Sequence, residues 1–450
     1  MTVHSIDRTK SGETKLDRLS KCATTHKETV FNNLGHIIDG ELLKQAYHQL
    51  ESKKAVGIDG VNKEKYGERL EENIKNLIRR IHRGSYRPKP ARVTEIPKED
   101  GSTRPLVVSC FEDKLVQFAV SVILTQIYEP LFLPCSYGFR AGRSCHDALR
   151  ALYKHAYPCW EGAVVEIDIR KYFNSIPHGE LKEILRKKIS DDRFLRLIDK
   201  LATAPIVQEG KMTANTIGCP QGSILSPILA NIYLHEVIDV WFDTIKKTHF
   251  KGKAEEIRYA DDMVFVFQDH REAQRFFEVL PKRLKKYGLE MHEDKSNLIR
   301  SGQNVARREH RAGRRLPTYH FLGFTVYWGK ARNGTWWRMK VISRRDRFTA
   351  KLKGLKQFLR KQLNTSNTMG ILKLVASVIR GWINYHAVSD NERRVGQFIR
   401  LCRQIVRKWI NRRGRKRPMN WENFNKLMEK INLPKTWKIT SLFESLPNMA

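Results

Sequence analysis

The chain has 450 residues, enough for about three domains of roughly 150 residues each. Its hydrophobic fraction of 41% and charged fraction of 29% are typical of a soluble globular protein, and they argue against a disordered chain or an integral membrane protein. Lys and Arg number 83 against 48 Asp and Glu, a net charge of +35. This excess favours a polyanionic partner, and nucleic acid fits better than an acidic membrane because Lys and Arg neutralise phosphates.

The seven cysteines include no C-x-x-C pair, so zinc fingers and knuckles are not expected. Their irregular spacing suits a reducing compartment, where isolated thiols pack as small apolar side chains. Residues 1–30 are polar and contain no apolar run, and no window approaches a membrane span. The sequence therefore predicts a cytoplasmic protein with no membrane partner.

Residues 31–84 have helical periodicity, interrupted by a turn at Gly57 to Gly60. From Pro88 to Val108 the pattern changes to strand, turn and strand, which predicts a hairpin carrying basic residues. The segment from Glu112 to Tyr128 predicts an apolar helix that ends before Pro130.

Two apolar strands are then predicted to end on acids. Residues 163–169 form a short strand containing Asp168, and residues 257–267 form a strand, turn and strand unit around Asp261 and Asp262. Helices are expected between these strands, with a turn at residues 218–222. Helices alternating with non-sequential strands indicate an α+β fold.

Beyond about residue 300 the sequence becomes rich in arginine with interleaved tryptophans, and we expect a separate, largely helical module. The helices are predicted at 347–363, 369–387, 392–411 and 421–431. We expect its arginines to contact phosphates and its aromatic rings to stack on bases. The tryptophans are Trp328, Trp336, Trp337, Trp382, Trp409, Trp421 and Trp437.

Placing Asp261 and Asp262 side by side in an apolar hairpin costs free energy, because like charges and desolvation both oppose ionisation of the carboxyl groups. A pair of divalent cations about 3.5 to 4 Å apart would compensate, and such pairs recur in phosphodiester formation. Magnesium is expected because carboxylates and phosphates are hard oxygen ligands. Asp168 is the best third carboxylate since it also ends an apolar strand. A plain acidic turn is the alternative, and the apolar flanks together with Asp168 weigh against it.

The motifs together resemble group II intron reverse transcriptases over about residues 31–390, the aspartate box Tyr259-Ala260-Asp261-Asp262 being similar to the polymerase box of that family. The remaining matching motifs, in chain order, are Gly57 to Val61, Ile96 to Lys98 with Arg104 to Leu106, Ser136 to Arg140 with Arg143 to His146, Asp168 to Phe173, Pro220 to Pro227, Lys295, Phe321 to Phe324 and Arg380 to Tyr385.

The resemblance implies a right-hand polymerase with fingers, a palm containing an antiparallel sheet and a helical thumb, followed by a basic helical maturase-type region. The implied divisions are a flexible segment 1–30, N-terminal extension and fingers 31–160, palm 161–325, thumb 326–390 and C-terminal region 391–450. The cysteine-rich nuclease module of some relatives is not expected, since no Cys or His cluster follows Cys402.

The resemblance also implies roles for individual residues. Asp168, Asp261 and Asp262 would be catalytic, and with the backbone carbonyl of Ile169 they would bind two Mg²⁺ ions, or Mn²⁺ as a substitute.

A second group of residues would contact the incoming deoxynucleoside triphosphate. Lys98 and Arg104 would clamp its phosphates, and the ring of Phe173 would exclude a ribose 2′-hydroxyl. Gln221 would contact the nucleotide, and Lys295 would lie near the palm. Taken without the resemblance, Phe173 could equally be a core residue and Lys295 a solvated lysine.

The expected partners of the C-terminal region are intron RNA and the RNA template, together with a DNA primer or target. The basic run that would bind RNA comprises Arg412, Arg413, Arg415, Lys416 and Arg417. The implied function is RNA-directed DNA synthesis with maturase and retrohoming roles. Two alternatives stay open: the same polymerase recruited to phage defence or DNA repair, and a non-catalytic RNA-binding splicing factor. The cognate RNA, the DNA target and the oligomeric state are not specified by the sequence.

Overall fold

A computed structural model describes residues 14–97, 103–331, 334, 336–413 and 418–443. Lys98, Arg415, Lys416 and Arg417 therefore lie outside the described residues. Helices and three sheets make up the described part of the chain, which confirms the predicted α+β class. No helix within those ranges has the length and apolar character needed to cross a membrane.

The elements are numbered in chain order. The strands are β1 (Ala91–Pro97), β2 (Thr103–Val108), β3 (Gly162–Ile167), β4 (Ile206–Gln208), β5 (Lys211–Thr213), β6 (Ala254–Tyr259), β7 (Asp262–Phe267), β8 (Asn297–Ser301), β9 (Thr318–Phe321), β10 (Phe324–Lys330) and β11 (Trp337–Ser343). The helices are α1 (Lys15–Thr25), α2 (Gly40–Gln49), α3 (Lys63–Gly67), α4 (Leu70–His82), α5 (Phe111–Tyr128), α6 (Cys145–Ala156), α7 (Tyr172–Ser175), α8 (His178–Arg186), α9 (Asp192–Ala202), α10 (Ser226–Leu234), α11 (Val240–Thr248), α12 (His270–Lys286), α13 (Gln303–Arg311), α14 (Arg345–Lys361), α15 (Thr368–His386), α16 (Glu392–Arg413) and α17 (Trp421–Lys430).

The N-terminal helices pack around α5, whose sequence is apolar on nearly every side. A helix of this kind cannot expose any face without losing apolar burial, so it lies in the core. Leu115, Ala119 and Ile123 are completely buried there, in the same core cluster as residues of α2 and of the central strands. This helix joins the first sheet to the central sheet.

The first sheet contains the predicted hairpin β1–β2 and a second hairpin that sequence analysis missed. Its strand order is β2-β1-β4-β5, and β4 pairs parallel to β1 through Ala91 and Ile206. Only helices were expected between Asp168 and Gly218. Strands of three residues are too short to display an alternating pattern, so the sequence offered no periodic signal.

The central sheet has the order β6-β7-β3-β8 and is antiparallel throughout. Every residue of β3 is buried, as expected for the inner strand of a covered sheet. Ile167 pairs with Met263, and Tyr259 pairs with Asp262 across the β6–β7 turn. This register brings the end of β3 and the turn to the same edge of the sheet.

The prediction of a largely helical chain beyond residue 300 was wrong for residues 318–343, which form the third sheet, β11-β10-β9. Along β11 buried and half-buried residues alternate strictly, and Tyr319, Phe321, Phe324 and Met339 pack with α6 in one core cluster. That period of two was present in the sequence, but the segment was assigned to the helical module because of its arginine and tryptophan content.

The four C-terminal helices begin and end within two residues of their predicted bounds and share one core cluster, which includes Leu359, Ile379, Phe398 and Phe424. The expectation that the tryptophans form stacking surfaces was wrong for four of the seven. Those four are buried core residues: Trp328, Trp337, Trp382 and Trp409.

Candidate active site

The turn that carries Asp261 contains two residues, Ala260 and Asp261, between the paired Tyr259 and Asp262. Ala260 has a φ of +58°, in the left-handed region that tight hairpin turns require and that an alanine adopts at some cost. The loop after α5 supports this strained backbone. A Cβ at Gly138 would lie 2.2 Å from the Ala260 nitrogen, so only glycine allows the close approach.

Arg258, two residues before the turn, is completely buried and holds the surrounding segments together. Its guanidinium donates to both carboxylate oxygens of Asp239 at 2.6 Å, to the Ser136 hydroxyl at 2.8 Å and to the Asn231 side chain at 3.1 Å. It also donates to the Ala260 carbonyl at 3.1 Å, which fixes the turn directly. Sequence analysis missed Arg258, although a charged residue inside an apolar strand was a usable signal.

Asp239 lies in a five-residue π-helical turn, residues 235–239, between α10 and α11. Burial alone would raise the pKa of Asp239, but the adjacent Arg258 charge prevails and lowers it to about 2. Burial and then the Asp239 charge raise the pKa of Glu256 well above its ordinary value. Within the described ranges, Cys135, Asp239 and Glu256 form a compact group of ligand-type atoms, but the Arg258 guanidinium already supplies its positive charge.

Asp168 directly follows β3, and its backbone is fixed on the β8 side. His292 N–H donates to the Asp168 carbonyl at 2.8 Å, and Arg170 N–H donates to the Glu290 carbonyl at 2.8 Å. Ile169 and Met291 between them therefore form a non-hydrogen-bonded antiparallel pair, in which the N–H and C=O of each residue face away from the other strand. The Ile169 carbonyl thus faces the β7 side of β3, where the turn with Asp261 lies.

Burial, followed by the Asp168 charge, raises the pKa of Asp261, while the charge of Arg104 opposes the rise. Burial also raises the pKa of Asp262 to about 7, reinforced by Asp261 and Asp168. Three acids are therefore held together against their own repulsion and desolvation, and a bound cation would relieve both.

The available donors fit a hard divalent cation: carboxylate oxygens from Asp168, Asp261 and Asp262 and the carbonyl of Ile169. Within the described residues these aspartates do not form a group whose carboxylate oxygens all lie within 4.8 Å of one another. Asp262 already has a partner, since its Oδ2 accepts the Leu322 N–H at 3.2 Å. Asp168 and Asp261 are the carboxylates better placed to bind a cation.

The turn containing Gln221 lies against the basic hairpin. Val107 N–H donates to the Gln221 carbonyl at 2.6 Å, and a Cβ at Gly222 would lie 2.6 Å from the Val107 carbonyl oxygen. Arg104 is exposed on β2, and its positive charge acts to lower the pKa of Asp261. Gln221 is thus tied to the strand that carries Arg104, and the charge of Arg104 acts on Asp261. We call the region bounded by these three residues the cleft.

Phe173 is half-buried between the core and this cleft. Its ring centroid lies 6.4 Å from that of Phe139, which is 43% exposed, and its carbonyl accepts the Cys219 N–H at 2.6 Å. The Phe173 backbone is thereby tied to the turn that carries Gln221.

The ammonium of Lys295 lies 3.8 Å from Asp168 Oδ2, and the lysine side chain is 59% exposed. At this exposure the pair adds little to stability. The Lys295 ammonium nevertheless lies beside Asp168, the acid that follows β3.

On the other side of Asp262, the β9–β10 turn meets α15. Leu322 adopts a φ of +49°, and its carbonyl accepts the Tyr385 hydroxyl at 2.9 Å. A cavity of about 600 Å³ opens between this turn and the C-terminal helices; its lining includes Asp262, Leu322, Gly323, Arg347, Lys351 and Trp382.

Only two residues of the predicted basic run lie within the described residues. Arg412 is exposed, whereas Arg413 lies over the Trp409 ring at 5.0 Å and donates to the Thr365 carbonyl. Arg413 therefore also has a packing role at the end of α16.

Comparison with known proteins gives two family matches. Residues 96–326 match the model described as reverse transcriptase (RNA-dependent DNA polymerase), and residues 345–427 match the group II intron maturase-specific domain. The first match spans β2, the aspartates and the Leu322 turn. The second match spans α14 to α16 and most of α17.

Three similar proteins illustrate the relationship. The group II intron-encoded protein LtrA of Lactococcus lactis is 33% identical over 77% of this chain and 54% of its own length. Protein YkfC of Escherichia coli is 37% identical over 48% of the chain and 58% of its own length. The 91 kDa protein in the cob intron of Schizosaccharomyces pombe is 37% identical over 54% of the chain and 30% of its own length. The chain thus spans about a third to rather more than half of these relatives.

Replacing Arg258 with Met should lower the free energy of unfolding by about 3–5 kcal/mol, because it leaves the Asp239 charge buried without its partner. The double variant Arg258→Met/Asp239→Asn should recover part of this loss, since it removes both charges. Urea unfolding of the two single variants and the double variant measures the coupling.

The pair Lys187–Glu236, whose lysine is exposed and whose glutamate is half-buried, provides a control for this cycle. Lys187→Met should change the free energy of unfolding by less than about 1 kcal/mol. If Arg258→Met is no more destabilising than Lys187→Met, the buried pair does not organise this region.

Proposed function

The chain belongs to the reverse transcriptase (RNA-dependent DNA polymerase) family and carries a group II intron maturase-specific domain, and on that premise we propose that it extends a primer on an RNA template. The observation that carries the proposal is the convergence of Asp168 and Asp261 at one edge of the central sheet, beside Arg104 and Gln221. In a non-catalytic RNA-binding protein, buried carboxylates that repel one another would destabilise the fold without serving a function.

In the proposed mechanism Asp168, Asp261 and the Ile169 carbonyl hold two divalent cations, Mg²⁺ by preference and Mn²⁺ as a substitute. When bound, such ions favour ionisation of the primer 3′-hydroxyl and offset the charge of the triphosphate. Asp262 supports the site through its hydrogen bond to Leu322 and contributes further negative charge. Lys295 balances charge at Asp168.

The fingers hairpin acts on the nucleotide side of the cleft. Arg104 presents its planar guanidinium group to the phosphates. Lys98 lies outside the described residues, and we propose that its ammonium group adds a second positive charge. Gln221 contacts the nucleotide from a turn fixed to β2 by the Val107 hydrogen bond. The deoxynucleoside triphosphate is thereby positioned before its α-phosphate meets the primer hydroxyl.

Asp261→Ala should reduce primer extension on an RNA template by at least about 10²–10³-fold, because it removes a cation ligand and part of the charge stabilisation of the transition state. The measurement is single-turnover extension with Mg²⁺ and deoxynucleotides, alongside the affinity for the RNA–primer duplex, which should be unchanged. Asp294→Ala is the matched control, since the Asp294 side chain is 91% exposed. Wild-type extension rates in the Asp261 variant would remove this site from consideration.

Phe173 is proposed to discriminate between sugars, because its ring lies at the border of the core and the cleft. Phe173→Ala should lower the preference for deoxynucleotides over ribonucleotides by about ten-fold or more. Single-nucleotide competition measures the ratio. Phe139→Ala removes the neighbouring ring and serves as control; an equal loss of discrimination in both variants would assign the effect to the ring pair rather than to Phe173.

We further propose that the maturase-type helices bind intron RNA and assist splicing and retrohoming. The net charge of +35 and the exposed Arg412 support this role. Recruitment of the same polymerase to phage defence or DNA repair would use the same chemistry. Flanking intron sequence in the genome distinguishes the two roles, because only mobility requires a folded intron around the gene.

Replacing Arg412, Arg413, Arg415, Lys416 and Arg417 with Ala should weaken RNA binding. It should also reduce the slope of log K against log salt by up to about 3.5, at roughly 0.7 per single-strand phosphate contact. Filter binding from low to moderate salt gives both quantities. The control replaces five exposed basic residues of α12 with Ala: Arg271, Arg275, Lys282, Lys285 and Lys286. Equal slopes for the two variants would show that the C-terminal run makes no specific contribution.

A further inference from the structure

A second basic surface lies on α13 and the loop that follows it. Residues 303–315 contain five arginines and one acid, Glu309. Val305 and Ala306 are the buried residues of the helix. Arg307, Arg308 and Arg311 lie within an arc of about 100° on the opposite side, given 100° of rotation per residue. We call this arc the α13 arginine face.

Acidic neighbours neutralise only part of this charge. Arg308 pairs with Glu161 at 2.5 Å, and Arg314 in the following loop pairs with Glu309 at 2.5 Å. Over the described part of the chain, no carboxylate pairs with Arg307, Arg311 or Arg315. Two arginines of the face, Arg307 and Arg311, thus remain without a counter-ion from the described residues of the protein, as does Arg315 in the loop that follows.

An exposed aromatic ring accompanies the α13 arginine face. Trp160 is 59% exposed, the most exposed tryptophan among the described residues. Its carbonyl accepts the Asn304 N–H at 2.9 Å, so its backbone is fixed at the first turn of α13. A Cβ at Gly302 would lie 2.2 Å from that carbonyl oxygen, and the glycine therefore permits this contact. Glu161, next in the chain, pairs with Arg308, so Trp160 borders the arginines.

This surface lies far from the catalytic carboxylates. Trp160 precedes β3 and Asp168 follows it, while β8 runs antiparallel from Asn297 beside Glu166 to Ser301 beside Gly162. Both β3 and β8 therefore place α13 at the end of the sheet opposite to Asp168. Six strand residues at about 3.3 Å each separate the two ends by roughly 20 Å.

We propose that Trp160 and the α13 arginine face form a second RNA-binding surface, which takes an unpaired RNA segment. Unstacked bases can lie on an exposed indole while their phosphates pair with arginines, and paired bases cannot. Arg307 and Arg311, which lack counter-ions, can each pair with a backbone phosphate. The inference goes beyond the proposed polymerase and maturase roles, which use the opposite end of the sheet and the C-terminal helices.

The test measures binding of a fluorescein-labelled oligouridine of about 15 nucleotides to the full chain, with the polymerase cleft filled by a saturating RNA template–DNA primer duplex. Trp160→Ala should weaken binding about ten-fold, and Trp160→Phe should stay within about three-fold of wild type because phenylalanine still stacks. Arg307→Gln/Arg311→Gln should reduce the salt slope by about 1.4. All variants should extend a short template–primer duplex at the wild-type rate and melt at the wild-type temperature.

Arg271→Gln/Arg275→Gln on α12 is the matched control for charge, and its affinity and salt slope should stay at wild-type values. Equal oligouridine affinity in wild type, Trp160→Ala and Arg307→Gln/Arg311→Gln would overturn the proposal. So would a loss of binding to anionic phospholipid vesicles with RNA affinity unchanged, which would assign the surface to a membrane. Asp261→Ala should bind oligouridine normally while failing to extend primers, so failure of the proposed polymerase function remains distinguishable.

Discussion

The ion pair between Arg258 and Asp239 is the interaction on which the rest of the site depends. Both side chains are completely buried, so each would be strongly destabilising without the other. An arginine suits the position because its five donors can serve several partners in a fixed plane. Here they join the π-helical turn, Asn231 of α10, Ser136 and the Ala260 carbonyl. The aspartate turn is thus held to three other segments.

At the edge of the central sheet, the arrangement that the proposed function requires lowers the stability of the fold. Burial and mutual repulsion raise the pKa values of Asp261 and Asp262, and Ala260 adopts a left-handed conformation between them and β6. Each feature costs free energy in the folded chain. These costs are offset by the burial of apolar residues of the central strands and of α5, which belong to one core cluster.

Sequence patterns predicted the parts of the molecule with strong local signals. The hairpin, α5 and the C-terminal helices follow from periodicity, and Asp168 and Asp261 follow from acids that end apolar strands. Gly138 and Asn231 could not be assigned in this way, because their roles arise only when distant segments meet. Arg258 carried a signal, as a charged residue inside an apolar strand, but its partners could not be assigned for the same reason. The third sheet had a period-two signal that its arginine content obscured, and buried tryptophans such as Trp382 cannot be told from exposed ones by composition.

The hydrogen bond between Arg258 and Ser136 joins residues that are 122 positions apart in the chain. The β6–β7 hairpin is local and can form early in folding, but closing so long a loop is slow and entropically costly. We therefore expect its two aspartates to acquire their final arrangement only after Ser136 has docked on the central sheet. An incompletely folded chain, in which this long-range contact is not yet made, should therefore lack the arrangement of its aspartates.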